Sequence, residues 1–387
     1  MSSTVESAIT RAPAVLSAAL DLLQELAKKL TLANGVRVLP NIGKTLVCLL
    51  FLANIKSWPL VWHFRIFRPV FRIRLEHLWI RVQMFFMSPL KAVKLEDRWL
   101  DSITPVGANP FSVVIPYRTQ VALDDSDFNG HLSNSSYAKI MDGARFKAAI
   151  ELFPMFFRAG GWIALAGTHY HFIKEIPMLT SYEIRTSIVA WDRKWVYIMS
   201  RFVRKPDGKK KKRDQKKLAS PNGEISTSIR APGSEEISTN GTPYVNVTPN
   251  GTTETVPDLK AVAANLAGEE PDGAVLHTIV VSQICYKIGR ITVPPALMLA
   301  VNGFTGTPNC SLASPHPEWA TAKKVMSKPH GGNPKKLKAL LTGGWRNIPE
   351  NERWWETALG PEVEAQNLKN LEQIEHLRKG LELARGL

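Results

Sequence analysis

The chain has 387 residues, 44% hydrophobic and 21% charged, enough apolar material for a core, which excludes a wholly disordered polymer. Its three cysteines, Cys48, Cys285 and Cys310, are odd in number and far apart, which excludes a disulfide framework or a CxxC metal pair. The net charge of +15 gathers in two blocks, Arg65–Arg81 and Arg204–Lys217, with no zinc finger, RNP-like strand or basic heptad beside them, so nucleic acid is not expected as a partner.

Residues 1–35 carry leucines at helical spacing: Leu16, Leu20, Leu23, Leu26 and Leu30. Glu6, Asp21 and Glu25 interrupt them, which is not the character of a transit peptide. The apolar run Leu46–Ala53 is shorter than the ~20 residues of a bilayer span. Trp58, Trp62 and Trp79 stand near Arg65, Arg68, Arg72, Arg74 and Arg81, the mixture found at membrane interfaces. A membrane anchor is therefore expected here, as a bent single span or a monotopic hairpin. Its basic flank places the rest of the chain on the cytosolic side, the endoplasmic reticulum being the expected membrane.

From Ser112 to Leu123 apolar residues alternate, as in a half-buried strand. A polar loop, DDSDFNGHLSN, follows. Ser136–Phe153 then has helical spacing, with Tyr137, Ile140, Met141, Ala144, Ala148 and Leu152 on one stripe. Strand-like runs cover Trp162–Lys174, Thr180–Trp191 and Lys194–Lys205, the last two joined by a turn at Asp192-Arg193. Residues 206–274 are Lys-rich, then Ser/Thr/Asn/Gly/Pro-rich, and are expected to be a disordered insertion. Leu276–Lys287 supplies another strand and Ile291–Val301 a further apolar run. Beyond it, Glu362–Leu383 reads as a polar helix whose partner the sequence does not show.

The chain thus divides into 1–110, N-terminal helices with the anchor; 111–301, a domain interrupted by 206–274; and 302–387, a C-terminal extension. The order strand, helix, then four strands predicts an α+β fold, an antiparallel sheet around a long central helix.

The loop Asp125-Ser-Asp127-Phe-Asn129-Gly130-His131-Leu-Ser-Asn134-Ser-Ser-Tyr137 resembles the active-site segment of hotdog-fold thioesterases. The 4-hydroxybenzoyl-CoA thioesterase type has D-x-D before its helix, and plant acyl-ACP thioesterases have D-x-N-x-H-V-N-N-x-x-Y. Asp127, Asn129, His131, Asn134 and Tyr137 match in spacing; Ser133 stands where those families have Asn. With an anchor in front, the pattern is most similar to the membrane-associated thioesterase superfamily member 6 type. The resemblance implies a hotdog fold, a homodimer, and hydrolysis of an acyl thioester, acyl-CoA ahead of acyl-ACP. A hotdog hydratase fits less well: its G-D-x-N-P-x-H puts the His five positions after the Asp, against four here.

The residue types suit that chemistry. Asp127 is the candidate nucleophile or general base. Asn129 would position water and His131 would polarise the carbonyl or move a proton. The backbone N–H groups near Gly130 and His131 are the expected oxyanion donors, with Asn134 fixing the loop and Tyr137 lining the core or the substrate channel. Phe146, Phe153, Phe156 and Phe157 are expected beside an acyl channel. Taken singly, Asp and Asn before a helix are often only caps. A catalytically silent lipid-binding or scaffold protein is the alternative function. No cofactor is expected. No metal is expected either: His169 and His171 would share a strand face without a third ligand. Asp142 and Arg145 read as a surface ion pair.

Overall fold

The computed structural model describes residues 41–205 and 270–383, together with Asp21, Gln24 and Glu25. The leucines Leu16, Leu20, Leu23, Leu26 and Leu30, the lysine run Lys209–Lys217 and the expected insertion as far as 269 lie outside the described residues. Two compact units are present: one takes the described residues up to Trp62 with Ala122–Asp124, the other runs from His63 to Val121 and from Asp125 onward.

In the first unit, helix α1 (Asn41–Ala53) leads to a 3-10 turn, Ile55–Ser57. Trp58 closes back on it, its indole N–H donating to the Phe51 carbonyl at 2.9 Å, with the two rings 4.3 Å apart. Ser57 Oγ donates to Asp124 Oδ2 at 2.6 Å. Among the described residues no helix is long and apolar enough to cross a membrane, so the spanning form of the expected anchor is not found there.

Helix α2 (Val61–Phe85) follows, with Pro69 inside it, and then α3 (Pro89–Ile103), which starts on a proline after extended Ser88. In the second unit α2 and α3 pack on the domain. His77 stacks on Trp99 at 4.7 Å, Phe67 meets Phe146 edge-on at 5.6 Å, and Leu100 lies in the main apolar cluster. Packing therefore joins residues on both sides of 110.

Strand β1 (Ile115–Gln120) alternates as its sequence requires, odd-numbered residues inward. The central helix α4 (Asn134–Leu152) buries ten residues, including all six of the expected stripe. Ser133 is its N-cap, Oγ accepting from the Ser136 N–H. Pro154, which lacks an N–H, follows its end and opens the short helix α5 (Pro154–Arg158).

Strands β2 (Trp162–Phe172), β3 (Ser181–Trp191), β4 (Val196–Arg204), β5 (Val275–Ile288) and β6 (Ile291–Val293) complete one antiparallel sheet. Its order is β1-β3-β4-β5-β2, with β6 on β5. The β3–β4 connection is longer than the two-residue turn expected: Asp192 Oδ1 accepts from the N–H groups of Lys194 and Trp195, both at 2.7 Å. Ile184, Ile188, Ile198, Phe202, Val280 and Ile284 are buried on the face toward α4. A long helix against a curled antiparallel sheet is the hotdog arrangement expected.

Asp142 and Arg145 do not form a mere surface pair. Arg145 is largely buried and also donates to Thr168 Oγ1 at 3.1 Å and Ser282 Oγ at 3.2 Å, tying α4 to β2 and β5. Residues 270–274, counted in the insertion by sequence, form a turn in which Asp272 pairs with Arg185.

The C-terminal residues pack on the domain as well. Helices α6 (Pro295–Val301), α7 (Pro317–Met326), α8 (Pro334–Leu341), α9 (Trp354–Thr357) and α10 (Gly360–Leu383) follow β6. Leu297, Trp319, Leu337, Trp355 and Val363 share one cluster with Phe153, Phe156 and Tyr286. The partner of the polar terminal helix is β3: Asn370 Nδ2 donates to the Val189 carbonyl at 2.6 Å, and Asn367 holds Trp191.

Candidate active site

The loop between β1 and α4 is a tight turn, Asp127–Gly130, in which Gly130 N–H donates to the Asp127 carbonyl at 3.1 Å. Gly130 takes φ +76°, a conformation glycine reaches without strain. The segment returning to β3 pins the turn from the other side: Leu132 N–H donates to Ile176 O and Met178 N–H to Gly130 O, each at 2.8 Å.

Asp127 is the hub of this turn. Its Oδ1 accepts from the N–H groups of Asn129 at 2.9 Å and His131 at 3.1 Å. Its own N–H donates to the His131 carbonyl at 2.8 Å. The side chain is an Asx-turn acceptor that fixes the loop, and the residue is half-buried. The turn thereby consumes the expected oxyanion donors. The N–H groups of Gly130 and His131 both hold Asp127 and do not open the helix, which starts only at Asn134. The helix's own first N–H groups belong to Asn134 and Ser135, both exposed.

His131 is partly buried, its Nδ1 3.1 Å from Glu175 Oε2. Asn129 and Asn134 are exposed beside it. Tyr137 is in the core: it packs against Phe172 and Phe202 with centroids 5.0 and 4.9 Å away, and burial pushes its phenol pKa up. Of the expected channel phenylalanines, Phe146 and Phe157 are partly buried and the other two are core. Phe153 and Phe156 are fully buried against Tyr286, because the residues beyond 301 close over them.

Two further acids stand at the site. Asp125, 4% exposed, lies two residues before Asp127, with Lys139 Nζ 3.3 Å from its Oδ1 and its carbonyl accepting from Ser133 N–H. Burial first, and then the charge of Asp125, holds the Tyr182 phenol well above its usual pKa. The alternation that turns Val121 inward carries on by parity to Asp125, so a signal was present. Glu175 had none, since its place beside His131 comes from the pairing of two loops. Phe128, at the tip of the turn, is 98% exposed, and Met178 and Leu179 are exposed next to it.

His169 and His171 are exposed on β2, and among the described residues no group of three or more His, Cys, Asp or Glu side chains is placed to hold a metal.

Residues 121–216 match the model of the thioesterase-like superfamily. Protein THEM6 of Danio rerio is 30% identical over 136 residues, covering 35% of this chain and 58% of that protein. Thioesterase poxG of Penicillium oxalicum is 26% identical over 186 residues, 43% of this chain and 54% of its own length. The chain thus spans little more than half the length of these relatives. Among solved structures, YbaW, a probable thioesterase from Escherichia coli, covers 49% of this chain and 95% of its own at 8% identity and TM-score 0.28. The 4-hydroxybenzoyl CoA thioesterase of a Pseudomonas strain covers 48% and 96% at 11% identity and TM-score 0.25. The chain carries a thioesterase-like domain.

Proposed function

We propose that this chain hydrolyses acyl thioesters, long-chain acyl-CoA in preference to acyl-ACP, at the turn that precedes the central helix. The observation that carries the reading is Asp127. One carboxylate oxygen is fixed by two N–H groups, while for the other no hydrogen bond is found among the described residues. A carboxylate so oriented is placed to attack a thioester carbonyl or to take a proton from the attacking water. The developing oxyanion needs donors. With Gly130 and His131 engaged in the loop, that role passes to the first turn of α4 and to Asn134, where the helix dipole is positive. Asn129 positions the water. His131, 3.1 Å from Glu175, gives a proton to the departing thiolate and recovers it from the Asp127 carboxyl that took one from the water. Tyr137 supports the loop from beneath.

Phe128, Met178 and Leu179 give the site an exposed apolar rim, which favours a fatty acyl group. The free edge of β2 is where a second copy would pair to make the homodimer. Exposed Leu46, Leu49 and Phe51 of α1 support work at a membrane surface, and the basic flank Arg65–Arg81 supports a cytosolic catalytic domain, with the endoplasmic reticulum as the proposed membrane.

The engagement of the Gly130 and His131 N–H groups favours the second reading, a silent lipid-binding protein. Both readings meet one test: free thiol released from acyl-CoA of graded chain length, by wild type and by Asp127→Asn. Loss of roughly 10²–10⁴ in turnover is expected in the variant. An inactive wild type at every chain length would leave the silent reading standing.

A further inference from the structure

We infer that helix α2 lies in the plane of a membrane and recognises anionic lipid head groups, which deepens the proposed membrane-surface function and rests on it. The sequence shows an arginine-rich stretch; the structure shows which faces it has. At about 100° per residue, the face turned to the domain carries Ile66, Val70, Ile73, His77 and Ile80. Ile66 is buried and His77 stacks on Trp99. The opposite face should be polar in a helix that meets water. Instead it presents Phe64, Phe71, Leu75, Leu78, Val82 and Phe85, all exposed, with Phe85 84% exposed. Such a ridge, about 32 Å long from Phe64 to Phe85, is far larger than scattered surface hydrophobes.

The charges border this ridge. Arg68 and Arg72 fall on one flank and Arg74 and Arg81 on the other, and all four are exposed. The fifth arginine, Arg65, is turned inward and donates to Thr119 Oγ1. The one carboxylate of the helix, Glu76, pairs with Arg72 at 2.9 Å. An apolar ridge with guanidinium groups on both sides, and an exposed Trp79 beside it, suits the boundary between acyl chains and anionic head groups. Arginine's planar fork also matches phosphate oxygens. A second copy of this chain is a poor occupant, because ridge-to-ridge pairing would bring the two sets of arginines together. Spanning is excluded for this helix, which carries six charged residues.

The test uses the full chain. Cosedimentation is measured with vesicles of phosphatidylcholine and with vesicles in which about a quarter is phosphatidylserine. Hydrolysis of a short, soluble acyl-CoA is read on the same samples. The anionic vesicles should bind the protein, less so as salt rises. Leu75→Glu/Leu78→Glu should lose binding. Arg68→Gln/Arg81→Gln should weaken it roughly 25-fold, at about fivefold per arginine. Both variants should keep the activity. Equal binding to both vesicle types, or undiminished binding of the leucine variant, would overturn the inference. So would a dimer that Leu75→Glu dissociates without any vesicle binding by wild type. The soluble assay reads the proposed hydrolysis separately, so a failure of either idea is visible by itself.

Discussion

Asn367 holds Trp191 by both of its backbone groups: its Oδ1 accepts from the Trp191 N–H at 2.8 Å and its Nδ2 donates to the Trp191 carbonyl at 2.9 Å. Both residues are buried, and Trp191 is the last residue of β3, where the ladder to its neighbours ends. The amide completes what the sheet leaves open. Asn367→Leu would leave a buried N–H and C=O unpaired. We expect it to destabilise the protein by about 2–4 kcal/mol, read by denaturant unfolding, with little change in the slope.

The two acids before the central helix are separable. Asp125 is buried near Lys139, whereas Asp127 organises the turn. If both serve one reaction, Asp125→Asn and Asp127→Asn should each lower kcat/KM, and the double variant should be no worse than the poorer single. Additive losses would assign them to independent roles. Tm measured alongside separates a folding defect from a chemical one.

Gly143 lies mid-helix, where alanine would ordinarily stabilise by about 1 kcal/mol. Here an added Cβ would come within 2.7 Å of the Tyr117 hydroxyl oxygen. Overpacking of about 1–3 kcal/mol outweighs the propensity gain, so Gly143→Ala should lower the Tm. In a Tyr117→Phe background, which removes that oxygen, the penalty should shrink.

Glu96 lies between Arg158 at 2.8 Å and Lys328 at 2.9 Å. Burial pushes its carboxyl pKa up, but the hydrogen bonds and charges of Lys328 and Arg158 more than offset this, leaving it below the usual 4.5. A lowered acid adds stability that is fully present above its unfolded pKa and is lost as pH falls through the folded one. The stability difference between wild type and Glu96→Gln should therefore hold near about pH 7 and shrink below about pH 4. Asp101, raised by burial ahead of its bond to Lys323, works in the opposite direction, so the comparison is made on the Glu96 variant alone.

The sheet and the central helix were legible because their periods are strong. The stripe Tyr137–Leu152 appears where the residues required, and the alternation from 113 holds as far as Val121, around a strand shorter than expected, Ile115–Gln120. Contacts between residues far apart in sequence were not. Nothing local marks Asn367 as the partner of Trp191, or Glu175 as the neighbour of His131. The same limit explains the phenylalanines. Phe153 and Phe156 look available for a ligand until Leu297, Trp319 and Phe304 fill the space beside them. At the site, the turn DFNG was readable as a turn, but which N–H groups it would consume depends on how the Asp127 carboxylate folds back on its own loop.

The register of β4 on β5 ends with Arg204 opposite Val275. The two points at which the 70-residue connection leaves and re-enters the sheet therefore face each other on one rung, as they would for a two-residue turn. Apart from 270–274, where Asp272 pairs with Arg185, that connection can change length at small cost in closure entropy without moving a rung. A fluorescent reporter grafted there should leave the rest of the architecture intact.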